Sequence, residues 1–220
     1  MKPVYAPFYW LKLVKNKVFN PFKSSKKYWE KWHINNKNKE TKYNQISEFK
    51  IQVVNDWIHQ YKIKNVIDFG CGDGSILNHI SFENYLGVDV SETAIDLCQK
   101  KQKKDASIAF ITLEKYKGAK AQMTISLDVI YYLVEDLIYK QYLTKLFDSS
   151  ESYVLIYSTN VNGYNELIPH IKHRQFTDWV KKCKKDFVLI NHIKDENQNF
   201  EGHEQANKCE FYLYQKLILK

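Results

Sequence analysis

The 220-residue chain lacks the patterns that build metal centres and disulfide frameworks. Its four cysteines, Cys71, Cys98, Cys183 and Cys209, are far apart and form no C-x-x-C pair. Neither a zinc site nor a set of bridges is indicated, so no metal is expected and a reducing cytoplasm suits the chain. No uninterrupted apolar run approaches the length that spans a bilayer, and no small-residue cleavage site follows an apolar core. A transmembrane helix and a secretory signal are therefore not expected. Excess positive charge is missing from most of the chain too. Residues 43–220 hold twenty-two Lys and Arg against twenty-three acids, whereas residues 1–42 hold eleven lysines against two glutamates, a net of +9. The body thus has no basic excess of the kind a nucleic-acid face needs, and nucleic acid is the least favoured partner.

Glycine is scarce, seven in all, yet three fall at positions 70, 72 and 74. They follow Val66-Ile67-Asp68-Phe69, a β-branched and aromatic run that reads as a buried strand opening into a tight turn and then a helix from about residue 74. Glycines there let main-chain N–H groups approach a ligand and permit positive φ. A dinucleotide fingerprint would need its third glycine at position 75, which is Ser75. It would also bring a pyrophosphate beside Asp68, which repels it. A ligand with an amino group and a sulfonium suits that acid better. Asp89 closes a second strand, Tyr85-Leu-Gly-Val-Asp89, where it can accept hydrogen bonds from both hydroxyls of a ribose. This is the arrangement for S-adenosylmethionine; the alternative is a structural glycine turn in another doubly wound protein.

Those two motifs resemble the first and second motifs of the class I S-adenosylmethionine-dependent methyltransferases, and the resemblance covers roughly residues 45–220. Residues 121–136 (AQMTISLDVIYYLVED) are similar to that family's fourth strand and following loop. Together with 152–158 (SYVLIYS) and 169–179 (PHIKHRQFTDW), they resemble a bacterial subgroup associated with surface-polysaccharide genes. The resemblance implies a Rossmann-like, seven-stranded, mostly parallel sheet with an antiparallel C-terminal hairpin and helices on both faces. It further implies methylation of a hydroxyl on a sugar, nucleotide-sugar or glycan intermediate. An RNA or other nucleic-acid methyltransferase is the alternative enzyme, although the Asn/Asp-Pro-Pro-aromatic loop of exocyclic amino methylation is absent after the fourth strand. An inactive cofactor-binding partner subunit is the alternative outside catalysis.

Cofactor contacts are expected from Asp68, Gly70, Cys71 (as a small filler), Gly72, Gly74, Asp89, Val90 and Leu127, and by resemblance from Asp105 near the adenine. Asp128, at the end of the fourth strand, is expected to face the methyl group. It would orient the acceptor, help remove its proton, or join Asn160 in holding a divalent cation, although only two oxygen ligands are visible for that. Tyr132 stands where the subgroup commonly has His, and a phenol of ordinary pKa is a poor base at neutral pH. Proton removal then falls to His170 or His173, with Arg174 available for an anionic group on the acceptor.

Strands are expected at 65–69, 84–89, 107–111, 122–127, 152–158, 186–193 and 209–217. Helices are expected at 45–61, from Glu92 with Ser91 as cap, and at 174–184. Residues 1–44 form a separate basic, aromatic extension ahead of a methyltransferase domain over 45–220. Two roles stay open for residues 1–32: peripheral contact with anionic lipid through lysines and interfacial aromatics, or an arm folded over the domain. Trp29, with Trp32, belongs to a segment resembling a lid, where aromatic rings exclude water and stack on a ligand. Residues 35–44 are the expected linker.

Overall fold

The structure is a computed structural model that describes residues 22–37, 48–80, 82–102, 105–195 and 208–217. The leader up to residue 21 and most of the expected linker lie outside the described residues, so lipid docking by the leader is not addressed by the fold. No helix among the described residues is long and apolar enough to cross a membrane.

Seven strands form one sheet in the order β3-β2-β1-β4-β5-β9-β8. They are β1 (Asn65–Phe69), β2 (Asn84–Asp89), β3 (Ile108–Thr112), β4 (Ala121–Leu127), β5 (Ser150–Ser158), β8 (Phe187–Lys194) and β9 (Glu210–Lys216). The first five pair in parallel, and β9 runs antiparallel to both β5 and β8. This is the expected Rossmann-like sheet with its closing hairpin.

Period-two alternation buries both faces of the sheet. Val66, Leu155, Tyr157, Phe211 and Leu213 face one core, which also takes Val53, Trp57 and Ile58 of α2 (Glu48–Gln60) and Ile95 and Cys98 of α3 (Glu92–Lys101). Ile67, Phe69, Val154, Ile156, Tyr212 and Tyr214 face the other, against α4 (Asp136–Asp148) and α5 (Phe176–Cys183). Ser91 caps α3 by accepting the Ala94 N–H at 3.1 Å.

Three local outcomes differ from the sequence reading. The helix expected from residue 74 is a single 3-10 turn, Ser75–Asn78. Only residues 75–83 separate the turn from β2, and Ile76 and Ile80 are both buried, which pins the segment before a longer helix can run. Helix α4 was not expected, although Tyr139, Tyr142, Leu143, Leu146 and Phe147 keep the helical spacing and are all buried. A two-residue pair, β6 (Gly163–Tyr164) with β7 (Lys172–His173), folds the segment between β5 and α5 back on itself.

Ahead of the sheet, α1 (Ser25–Asn36) is capped by Ser24, whose hydroxyl accepts the Lys27 N–H at 3.2 Å. It has no acid in its first turn, so it gains little from its own dipole there. Tertiary bonds hold it. The Ser25 hydroxyl donates to the Tyr132 carbonyl at 2.8 Å, the Ser25 N–H donates to Glu135 at 2.9 Å, and Glu30 accepts from the Ser91 and Thr93 hydroxyls, each at 2.6 Å.

Candidate active site

Strand order reverses between β1 and β4, and in open sheets a crevice forms at the carboxyl ends on either side of such a switch point. A cavity of about 720 Å³ lies there, floored by the sheet and roofed by α1. It has two chemically distinct halves.

The glycine turn and β2 build the first half. Gly70, at φ +85°, has no room for a side chain, since a Cβ would come within 2.3 Å of Val129. A Cβ on Gly72, at φ +56°, would touch nothing within 4 Å, so that backbone is open to the cavity. Asp89 is buried; its carboxylate accepts the Gly72 N–H at 3.0 Å and the Ser91 N–H at 2.9 Å. Burial raises its pKa, and those amides and the neighbouring His33 work against the rise. Asp68 is buried as well and accepts the Tyr85 hydroxyl at 2.7 Å. Burial, with a smaller push from Asp89, raises Asp68 to about 7 against the lowering by the Tyr85 bond. Two buried acids with little positive charge to answer them describe a site that favours a cationic ligand. Cys71, Val90 and Leu127 line the same cavity. A hydrogen bond with Cys98 and burial hold the Cys71 thiol well above its ordinary pKa, so it is an inert filler. Gly74 is not part of the wall: at φ +73° it precedes the 3-10 turn, packed near Cys98.

Asp105 lies elsewhere. It precedes β3, whose carboxyl end faces the cavity, so it sits at the opposite edge of the sheet, exposed and bonded to the Ser107 hydroxyl at 2.6 Å. Leu113 and Glu114, just past the carboxyl end of β3, occupy the wall instead. The parallel rule alone would have found them.

The second half centres on Asp128. It adopts φ +59°, a left-handed conformation that Asp tolerates better than most residues. There its N–H reaches the Tyr157 carbonyl at 3.0 Å, while its carboxylate accepts the Tyr131 hydroxyl at 2.9 Å and pairs with Lys50. Lys50 also lies over the Tyr157 ring, 4.4 Å from its centroid. Burial and the Asp128 charge keep the Tyr131 phenol well above its ordinary pKa, so it acts only as a donor. Lys50 comes from α2, far from Asp128 in the chain, and no spacing signal announced the pairing.

Aromatic rings complete this half. Trp29 meets Tyr132 edge-on at 4.7 Å, and Tyr131 and Tyr132 are 4.4 Å apart, all three lining the cavity. His170 stacks on Tyr28 at 4.4 Å and lies parallel to the Tyr132 ring at 6.3 Å, and His173 shares a 2.8 Å hydrogen bond with Thr159; neither is part of the cavity wall. Burial lowers the His170 pKa, which keeps that imidazole neutral. Arg174 binds the Leu133 and Val134 carbonyls and Asp136 and covers the Tyr139 ring, which fixes the loop after β4. Asn160 accepts the Thr177 N–H and hydroxyl at the start of α5. Among the described residues no group of three or more His, Cys, Asp or Glu is placed to hold a metal.

Residues 67–138 match the methyltransferase domain family. Comparison with curated proteins gave no match. The chain is similar in structure to magnesium protoporphyrin IX methyltransferase from Synechocystis PCC 6803 with bound SAH, at 14% identity over 87% of this chain and 97% of that one, with a TM-score of 0.62. It is also similar to the N-methyltransferase NodS from Bradyrhizobium japonicum WM9 in complex with S-adenosylhomocysteine, at 11% identity over 88% and 99% of the two chains, with a TM-score of 0.64. A third is an S-adenosylmethionine-dependent methyltransferase from Clostridium acetobutylicum ATCC 824, at 10% identity over 96% and 100%, with a TM-score of 0.56. The chain has the fold of these S-adenosylmethionine-dependent methyltransferases.

Proposed function

We propose that the protein methylates a hydroxyl group on a sugar, nucleotide-sugar or glycan intermediate, with S-adenosylmethionine as donor. The division of the cavity carries this reading: buried acids at Asp68 and Asp89 on one side, and aromatic walls around a Lys50–Asp128 pair on the other. The residues of the first side fit the donor, since open glycine backbone lies between an acid suited to a cation and an acid suited to a diol. Bound there, S-adenosylmethionine supplies a methyl group activated by a sulfonium.

The chain's own residues do the rest. Trp29, Tyr131 and Tyr132 exclude water and offer flat faces to a pyranose ring. Asp128 is held by Lys50 and Tyr131, and accepts a hydrogen bond from the acceptor hydroxyl, aiming a lone pair at the methyl carbon. As the oxygen takes the methyl group its proton becomes strongly acidic, and Asp128 receives it. His170 and His173, set back from the wall, support Tyr132 and the loop at Thr159 from behind. In this half the Lys50 ammonium answers the Asp128 charge, which favours a neutral polar acceptor.

Purified protein given S-adenosylmethionine and a panel of nucleotide-sugars, oligosaccharides, RNA and small amines tests the reading. Formation of S-adenosylhomocysteine and of a saccharide one methylene heavier is expected. Turnover with RNA or amines alone would refute the acceptor class, and failure to bind S-adenosylhomocysteine would refute the donor.

A further inference from the structure

We infer that His33, on the roof helix α1, is a donor-binding residue that closes on the ribose hydroxyls from the side opposite Asp89. This rests on the donor assigned above. His33 is only 6% exposed and lines the cavity, and among the described residues neither of its ring nitrogens has a hydrogen-bond partner. An imidazole on a cavity wall whose nitrogens open to the cavity is placed to meet a ligand there. Its ring is held by neighbours rather than by polar bonds: Trp32 meets it edge-on at 5.0 Å and Trp29 lies 6.1 Å away.

The charges around it identify the ligand group. Three acids act on His33 from three elements: Asp89 at the end of β2, Asp73 in the glycine turn, and Glu30 on α1 itself. Asp73 is paired with Lys101 and Glu30 is taken up by Ser91 and Thr93, which leaves Asp89 to be matched across the cavity. Burial outweighs the pull of these acids and lowers the His33 pKa, so the ring is neutral and offers one N–H and one lone pair. A second carboxylate between His33 and Asp89 would be repelled. A vicinal diol fits, because each hydroxyl can donate to the Asp89 carboxylate while one of them accepts from His33. Trp29, four residues back and so on the same face of the helix, belongs to the acceptor wall, so a donor gripped by His33 also sets the roof for the acceptor.

Calorimetry on the full-length protein tests the assignment, with S-adenosylhomocysteine and its 2′,3′-dideoxy analogue as probes. His33→Phe keeps the ring and loses the donor, whereas His33→Gln keeps a donor. Loss of affinity for S-adenosylhomocysteine by roughly tenfold is expected in His33→Phe, with His33→Gln much closer to wild type. Removing the two hydroxyls from the probe should cost wild type clearly more than it costs His33→Phe. Thermal unfolding without ligand separates a binding defect from a folding defect. Wild-type affinity in His33→Phe, equal losses in both variants, or the same penalty for the dideoxy probe in wild type and His33→Phe would each overturn the assignment. If wild type binds neither probe, the donor reading fails and this one falls with it.

Discussion

The two halves of the cavity are made in different ways. The frame of the donor half comes from one local stretch, residues 68–90, in which a strand, a glycine turn and a second strand bring Asp68 and Asp89 together by parallel register, with Asp68 beside Gly87 and Phe69 beside Val88. The acceptor half is assembled from distant pieces: Lys50 from α2, Asp128 and two tyrosines after β4, Trp29 from α1. A locally encoded site is robust and legible, while one built by long-range packing can change substrate through single substitutions at any of its contributors.

The sharpest way to break that contrast is at Asp89. Asp89→Ala removes paired hydrogen bonds to the ribose and should cost about 2–4 kcal/mol of affinity for S-adenosylhomocysteine by calorimetry. Unchanged affinity would remove Asp89 from the donor half.

Next come Asp128→Asn, which keeps a side chain tolerant of positive φ, and Lys50→Met. Each should lower kcat with the saccharide acceptor by roughly a hundredfold, within the range for losing a positioned proton acceptor. Donor affinity should stay within about twofold under the same non-additivity limits as any distant site. A comparable loss of donor binding would show that the halves are not separable.

A smaller effect is expected from pH. Asp68 has a folded-state pKa raised to about 7, well above its unfolded value. The protonated acid therefore stabilises the unliganded fold at low pH, and that contribution is lost as pH rises through about 7. Binding a cation needs the ionised form, so affinity for S-adenosylmethionine should rise as pH passes through the same window. Asp68→Asn should abolish that dependence, weaken donor binding, and raise the thermal midpoint of unliganded protein at pH 8. A wild-type affinity flat between pH 6 and 8 would contradict the assigned ionisation.

The least effect on the cavity is expected from removing residues 1–21. Donor affinity should be unchanged, whereas salt-sensitive binding to vesicles containing anionic phospholipid should disappear. If full-length protein ignores such vesicles, the leader has another role.

Most of the sheet could be read in advance because each strand declares itself locally: a run of β-branched and aromatic residues between polar turns, with the two-residue alternation that buries both faces. Helix α4 was equally legible in its spacing of Tyr139, Tyr142, Leu143 and Leu146 and was missed among the motif residues before it. Asp105 was misplaced for a geometric reason, since an acid before a parallel strand lies at the wrong edge. His170, Arg174 and Asn160 look catalytic in sequence because their chemistry suits the task. The fold gives Arg174 and Asn160 to the loop after β4 and the start of α5, and sets His170 behind Tyr132.

By itself the sequence determined the sheet, the glycine turn and the two acids, because strand propensity, positive φ and parallel register act between near neighbours. Only the tertiary structure decided that Lys50 meets Asp128, that α1 roofs the cavity and that His33 points into it. Those contacts join residues tens of positions apart, and they exist only once burial of the two cores has fixed where each helix sits.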